Sequence, residues 1–258
     1  MFFGVSSISE VRKLPAAEIT EKLSNVKVPG KSAWFPKTDG YIFPDGVVSS
    51  IMRGTQHQIP YLIGCNEDET GSMPGFMSQA TPQAVEGFAR AIFPDDVKGY
   101  LRSVDLSSPD AIRQTVFDQY ENDKLCAILG WQKIEMERKG NTAYTYFFTK
   151  DAPEAGDNHH GAYHGAELPL VFNTMSREGR PYTGAHFELA CIMQEYFSNF
   201  FKTGDPNGPG LPVWTKPESS MYEFMELGDH AGMISVPTSE NREFIVDYMT
   251  KIAKDLIV

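Results

Sequence analysis

Hydrophobic positions recur at two spacings along the chain, and the spacing separates predicted helices from predicted strands. Apolar residues every three or four positions indicate amphipathic helices. Short continuous apolar runs are typical of parallel strands that are covered on both faces. The predicted helices span residues 9–14, 16–24, 82–93, 95–104, 109–138, 185–201 and 242–257. The predicted strands span residues 60–66, 142–148 and 221–227, and residues 25–46, with several prolines and glycines, are expected to form a loop.

Capping residues support several of these boundaries. Ser9 and Ser239 stand where a side chain could accept the first N–H groups of a helix, and Gly140 follows the long predicted helix as a C-terminal stop. The pattern predicts an α/β protein with a few mostly parallel strands and many helices. We treat residues 1–258 as one domain.

Composition and charge narrow the classes of partner. The chain has 34 acidic against 23 basic residues and a net charge of −11. Nucleic-acid binding depends on lysine and arginine displacing counterions, so a nucleic-acid partner is not expected. No apolar run reaches the length of a membrane span, so none is predicted.

Cysteine usage and the N-terminal residues bear on the compartment. Three cysteines, Cys65, Cys126 and Cys191, lie in apolar segments without paired spacing, so we predict buried free thiols in a reducing compartment. The first residues lack the basic and apolar regions of a signal peptide. These observations favour a cytoplasmic location.

An acid and a histidine that each follow a predicted strand are the strongest chemical signal. Glu69 comes just after the strand at 60–66, and His164 lies in a glycine-flanked turn, Gly161–Leu168. Functional groups in doubly wound sheets lie past the carboxyl ends of strands. A carboxylate that orients a histidine corresponds to the second and third members of a Ser…Asp/Glu…His order.

Two alternative interpretations remain open for these residues. Glu69 follows Glu67 and Asp68 and could be an ordinary loop acid. His159, His160 and His164 could form a metal site, but the chain has no His-Glu-x-x-His pattern and glycines break a helix there. We therefore expect neither a metal nor an organic cofactor.

Four motifs, in the same order along the chain, resemble those of the type B carboxylesterases, the family that includes the cholinesterases. Asn66–Glu69 resembles an Asn-x-Asp-Glu-Gly pattern, with Thr70 in place of the glycine and Gly71 one position later. Gly161–Leu168, followed by Val171 and Phe172, resembles the family's Gly-x-x-His-Gly-x-Glu pattern. Residues 200–207 and 211–214 resemble its Gly-Asp-Pro-Asn and Pro-x-Trp signatures.

The resemblance implies an α/β-hydrolase fold and a role for individual residues. By position, Glu69 matches the family's orienting acid and His164 its general base, and Glu167 matches a glutamate that supports the histidine. Ser72 and Met73 follow the acid where the family lines its acyl pocket. The implied substrate is a small carboxylic ester.

The family's nucleophile motif is the main departure from the resemblance. The 258 residues contain no Gly-x-Ser-x-Gly and no His-Gly-Gly oxyanion loop. We therefore interpret the chain as the C-terminal part of a serine carboxylic-ester hydrolase, an incomplete domain that alone should be inactive. Its exposed sheet edge should pair with the absent N-terminal half or with a second copy. The alternative is a non-catalytic esterase-like interaction module.

Overall fold

The structure is a computed structural model, and it describes residues 3–24, 38–71, 80–154 and 160–255. The chain divides into two compact units, residues 1–47 and 48–258. Within the first unit lie helices α1 (Ile8–Val11) and α2 (Ala16–Ser24). All the candidate site residues belong to the second unit.

From residue 47 onward, helices and strands follow one another in mixed order along the chain. After α3 (Val47–Arg53) come β1 (Leu62–Asn66), α4 (Pro82–Ile92), α5 (Val97–Arg102), α6 (Pro109–Arg138) and β2 (Tyr144–Phe148). They are followed by α7 (Leu168–Val171), α8 (Gly184–Thr203), β3 (Glu223–Leu227), β4 (Gly232–Ser235) and α9 (Glu240–Asp255). Among the residues described, no helix is both long enough and apolar enough to cross a membrane.

The four strands form one sheet in the order β1-β2-β3-β4. The first three strands are parallel, with Leu62 opposite Tyr144 and Tyr146 opposite Met225, and β4 runs antiparallel to β3. Parallel neighbours require long crossovers, which the intervening helices provide. The predicted α/β class with few, mostly parallel strands is confirmed.

Each face of the sheet is covered by its own hydrophobic core, because successive strand residues point to opposite faces. On one face Phe147 and Phe224 pack with side chains of α4, α5, α6 and α9. On the other face Phe148 and Met225 pack with side chains of α7 and α8 and with Trp214. This two-sided burial accounts for the unbroken apolar runs in β1 and β2.

Several local predictions differ from the structure. The first helix is capped by Ser7, whose side chain accepts the Glu10 N–H, so Ser9 lies inside the helix. Lys139, with φ of +54°, takes the left-handed position after α6, and Gly140 follows it. Cys65 and Cys126 are buried as predicted, but the prediction for Cys191 is wrong, because this residue lies on the exposed side of α8.

Candidate active site

The carboxyl ends of β1 and β2 place the two candidate loops next to each other. The strands are paired in register as far as Asn66 and Phe148, and the Glu67 N–H donates to the Phe148 carbonyl just beyond. The parallel pairing then resumes between the two loops, where Asp68 lies opposite Tyr163. Residues about a hundred positions apart in sequence therefore meet at one sheet edge.

Glu69 and His164 are in direct contact at this edge. Glu69 Oε2 lies 2.5 Å from His164 Nδ1, and the His164 N–H donates to the Glu69 carbonyl at 3.2 Å. The Glu69 side chain is only 8% exposed, whereas the His164 side chain is 64% exposed. A carboxylate at Nδ1 favours the tautomer in which Nε2 carries the free lone pair, so the exposed part of the ring can act as a base.

A second set of hydrogen bonds, made by Asn66, holds the Glu69 carboxylate and joins the two loops. The Asn66 N–H donates to Glu69 Oε1 at 3.0 Å, which leaves Oε2 for the histidine. The Asn66 amide nitrogen also donates to the Tyr163 carbonyl at 2.7 Å and to Glu167 Oε2 at 2.6 Å. Asn66 is 4% exposed and ties both loops together. Glu167 thus contacts the site through Asn66.

Two glycines allow the loops to approach this closely. Gly161 has φ of +64°, and a Cβ there would collide with the Asp68 carboxylate, which accepts the Ala162 N–H at 2.9 Å. A Cβ at Gly71 would collide with the His160 carbonyl oxygen. The glycine that appears one position late in the acid motif is therefore required at 71 by the packing of the second loop.

Sequence reasoning missed one acid of the site, Glu121 on α6. Its carboxylate accepts the N–H groups of Glu69 at 2.6 Å and of Thr70 at 2.9 Å, together with the Thr70 hydroxyl at 2.6 Å. Burial raises the pKa of Glu121, and the hydrogen bonds from Thr70 and Glu69 oppose that shift. A glutamate at an inward position of an apolar helix face was the available signal.

Burial also shifts other groups near the acid. It raises the pKa of the Cys65 thiol to about 12, and the negative charge of Glu69 adds to the effect. The pKa of Tyr146 is raised by burial and, to a smaller extent, by Glu167. Neither group is therefore a base or nucleophile at neutral pH.

The remaining predicted site residues have different outcomes. Ser72 and Met73 lie outside the described residues, as does His159 of the alternative metal site. His160 contacts Glu154 through Nδ1 at 2.5 Å, while His164 contacts Glu69. The described residues contain no group of three or more histidine, cysteine or carboxylate side chains arranged to hold a metal.

A separate apolar cavity of about 500 Å³ opens between α4, α6 and α9. Its lining includes Phe88, Tyr120 and Tyr248 but neither Glu69 nor His164. The cavity is therefore distinct from the acid–histidine contact.

Comparison with known proteins identifies the family of the chain. The sequence pattern described as "Carboxylesterase family" matches residues 6–245. The chain belongs to the carboxylesterase family. The chain is 26% identical over 238 residues to carboxylesterase 4A of Bos taurus, an alignment that covers 83% of the chain and 42% of the relative.

More distant relatives and a solved structure extend the comparison. The chain is 23% identical over 231 residues to acetylcholinesterase 1 of Caenorhabditis elegans, an alignment that covers 77% of the chain and 37% of that protein. A solved structure of PNB esterase superposes with a TM-score of 0.71 over 95% of the chain and 52% of that structure, at 19% identity. The fold is thus that of an esterase, and the chain spans about half or less of each of these proteins.

Proposed function

We propose that this chain supplies the general base, His164, and the orienting acid, Glu69, of a serine carboxylic-ester hydrolase. The contact of 2.5 Å between Glu69 Oε2 and His164 Nδ1 carries the proposal. Membership of the carboxylesterase family supports it. The buried acid and exposed histidine have the asymmetry that the reaction needs, since one side of the imidazole is held and the other remains open.

In this reaction a serine hydroxyl attacks the ester carbonyl carbon, and His164 Nε2 takes the hydroxyl proton. The imidazolium that forms is stabilised by the Glu69 carboxylate. His164 then donates the proton to the leaving alcohol oxygen, which leaves an acyl-enzyme. Water attacks the acyl carbon with His164 again as base, the acid is released and the serine regains its proton.

The proposal requires a nucleophile and oxyanion donors from another polypeptide segment. The 258 residues contain no Gly-x-Ser-x-Gly motif, so no serine stands in the expected turn. A hydrolase without its nucleophile retains about 10³–10⁴-fold catalysis only when its oxyanion hole is present. The chain by itself should therefore give no burst of product with an activated ester.

The decisive test restores the nucleophile. The coding sequence upstream is read for an in-frame Gly-x-Ser-x-Gly, and that segment is co-expressed with the chain and assayed on a p-nitrophenyl ester. Replacing His164 by Asn or Glu69 by Gln should lower kcat by about 10⁴-fold or more. His160→Asn is the matched control, because His160 lies in the same loop and also contacts a glutamate. Full activity in H164N would refute the proposal.

The sheet edge formed by β1 is the proposed docking surface for that segment. Within the described residues β1 pairs only with β2, so its other side has no neighbouring strand there. Such an edge tends to recruit a further strand. The proposal expects the purified chain to self-associate in light scattering and to become a defined complex with the co-expressed segment. A stable monomer that does not bind the co-expressed segment would contradict the proposed docking surface.

The interaction-module alternative is less favoured. A scaffold for partner binding does not need an acid and a histidine in hydrogen-bond contact at the end of a parallel sheet. The closeness of Glu69 and His164 therefore favours the hydrolase proposal.

A further inference from the structure

A buried acid outside the proposed triad faces the turn that carries Glu69. Glu121 lies in α6 and is 7% exposed. Charged side chains are seldom buried without compensating hydrogen bonds, because removal from water is costly. The hydrogen-bond partners of the Glu121 carboxylate therefore indicate its role.

The hydrogen bonds that the described residues make to the Glu121 carboxylate all come from one turn. Oε2 accepts the Glu69 N–H at 2.6 Å, and Oε1 accepts the Thr70 N–H at 2.9 Å and the Thr70 hydroxyl at 2.6 Å. Hydrogen bonds to an ionised acceptor are short and about twice as strong as neutral ones. The backbone on both sides of the Glu69 carbonyl carbon is therefore held by a helix that is 52 positions away in sequence.

Thr70 stands where the family pattern has a glycine. Thr70 is not among the described non-glycine residues with positive φ, which are Lys139 and Asn173, so it needs no glycine-like backbone. Its hydroxyl instead provides the third donor to Glu121. Thr70, which replaces the glycine of the motif, is thus hydrogen-bonded through its hydroxyl to the buried Glu121 of α6.

We propose that Glu121 is a positioning residue of the acid–histidine pair, acting through its hydrogen bonds to the Glu69–Thr70 turn. Glu121 contacts neither the histidine ring nor the proposed reacting atoms, so its effect is on the placement of Glu69. Glu69 Oε2 then meets His164 Nδ1, and the His164 N–H meets the Glu69 carbonyl. Displacements of about 1 Å are enough to impair such an arrangement.

The inference rests on the proposed function for its catalytic meaning, but its test needs no nucleophile. The full chain is labelled with ¹⁵N-histidine, and NMR follows the hydrogen-bonded proton on His164 Nδ1 and its exchange with solvent. Glu69→Gln gives the upper limit for the acceleration of this exchange, because it removes the carboxylate itself. Glu121→Gln keeps the size of the side chain but presents an amide donor to at least one of the N–H donors.

Glu135→Gln is the matched control. Glu135 is also a buried carboxylate of α6, and it accepts the Asn141 N–H at 3.0 Å and the Gln56 amide at 2.8 Å. It lies 14 residues further along the helix, about 21 Å from Glu121 at 1.5 Å per residue. A general loss of stability should therefore appear in both variants, whereas a loss of positioning should appear only at Glu121.

We expect exchange of the His164 Nδ1 proton to accelerate about tenfold or more in E121Q and to stay at the wild-type rate in E135Q. Thr70→Val, which keeps the charge of Glu121 and removes one donor, should give a smaller acceleration. Wild-type exchange in a folded E121Q would overturn the proposal. Equal acceleration in E135Q would do so as well.

The Thr70→Val variant distinguishes two further outcomes. If E121Q fails to fold by circular dichroism, T70V decides alone, and wild-type exchange in T70V rejects the proposal. If E121Q accelerates exchange but T70V does not, the charge of Glu121 acts rather than its hydrogen bonds, and positioning is rejected. Absence of ester hydrolysis in the co-expression test would remove the proposed function and leave these NMR outcomes unchanged.

Discussion

Replacing Gly161 by Ala should destabilise the chain through two separable effects. Gly161 has φ of +64°, in the left-handed region, where an L-side chain costs about 1–2 kcal/mol. A Cβ at this position would also collide with the Asp68 carboxylate. That carboxylate accepts the Ala162 N–H at 2.9 Å, so displacing it breaks a bond between the two loops of the candidate active site.

A second glycine isolates the effect of the collision. Gly179 has φ of +68°, and a Cβ there would meet nothing within 4 Å. Gly179→Ala therefore carries only the backbone cost, offset in part by a less flexible unfolded chain, for a net loss of about 0.5–1 kcal/mol. Gly161→Ala adds the loss of a hydrogen bond to a charged acceptor, about 1.5–3 kcal/mol. The expected difference between the two variants is about 2 kcal/mol.

Urea unfolding followed by circular dichroism measures both free energies of unfolding. NMR of His164 in G161A should also show a weakened contact with Glu69, because the two residues are joined by the same pair of loops. Equal losses of stability in G161A and G179A would refute the reasoning, since they would mean that Asp68 moves aside without consequence.

Three further predictions concern thiols, one buried tryptophan and pH. A disulfide reagent at about pH 8 should label Cys191 alone in the native chain and all three cysteines after unfolding. Burial raises the pKa of Cys65 and of Cys126 to about 12, which leaves about 10⁻⁴ of each thiol as the reactive thiolate. Rapid labelling of the native Cys191→Ser variant would contradict this. Trp214→Phe should lower the free energy of unfolding by about 2 kcal/mol, because the indole N–H donates to the Thr145 carbonyl of β2 at 3.1 Å in a fully buried site. The control Val213→Ala, at a position that is 70% exposed, should have almost no effect. Burial raises the pKa of Glu121, so the folded chain binds that proton more tightly, and the contribution of the group to stability is lost as pH rises through the raised pKa. The unfolding free energy of wild type relative to E121Q should therefore decrease as pH rises from about 5 to neutrality, and an increase would contradict the sign.

The elements that sequence patterns predicted best are those with strong local signals. The bounds of α6, Pro109–Arg138, match the prediction because Ser108 caps it and proline opens it. β4 was not predicted because it has only four residues, and its pairing with β3 is a property of the folded sheet. Cys191 was placed inside because its neighbours are apolar, although its own side of α8 faces outward.

For the candidate site, the sequence predicted the residues at strand ends and missed the residue on a helix. Glu69 and His164 follow short apolar runs, so topology alone brings them to one edge. Within α6, Tyr120 is 45% exposed, whereas Glu121 beside it is buried. A helical pattern fixes the inward face only to within one residue, and the contact of Glu121 with Thr70 depends on tertiary packing.

The pairing of β1 with β2 also decides where this chain can tolerate length changes. The two strands carry the acid and the histidine at their ends, and a slip of one residue would shift one end by about 3.3 Å and reverse its faces. One inserted residue within Leu62–Asn66 should therefore abolish the Glu69–His164 contact. An insertion beside Gly179, which lies outside both strands and has open space around its Cβ position, should leave that alignment intact.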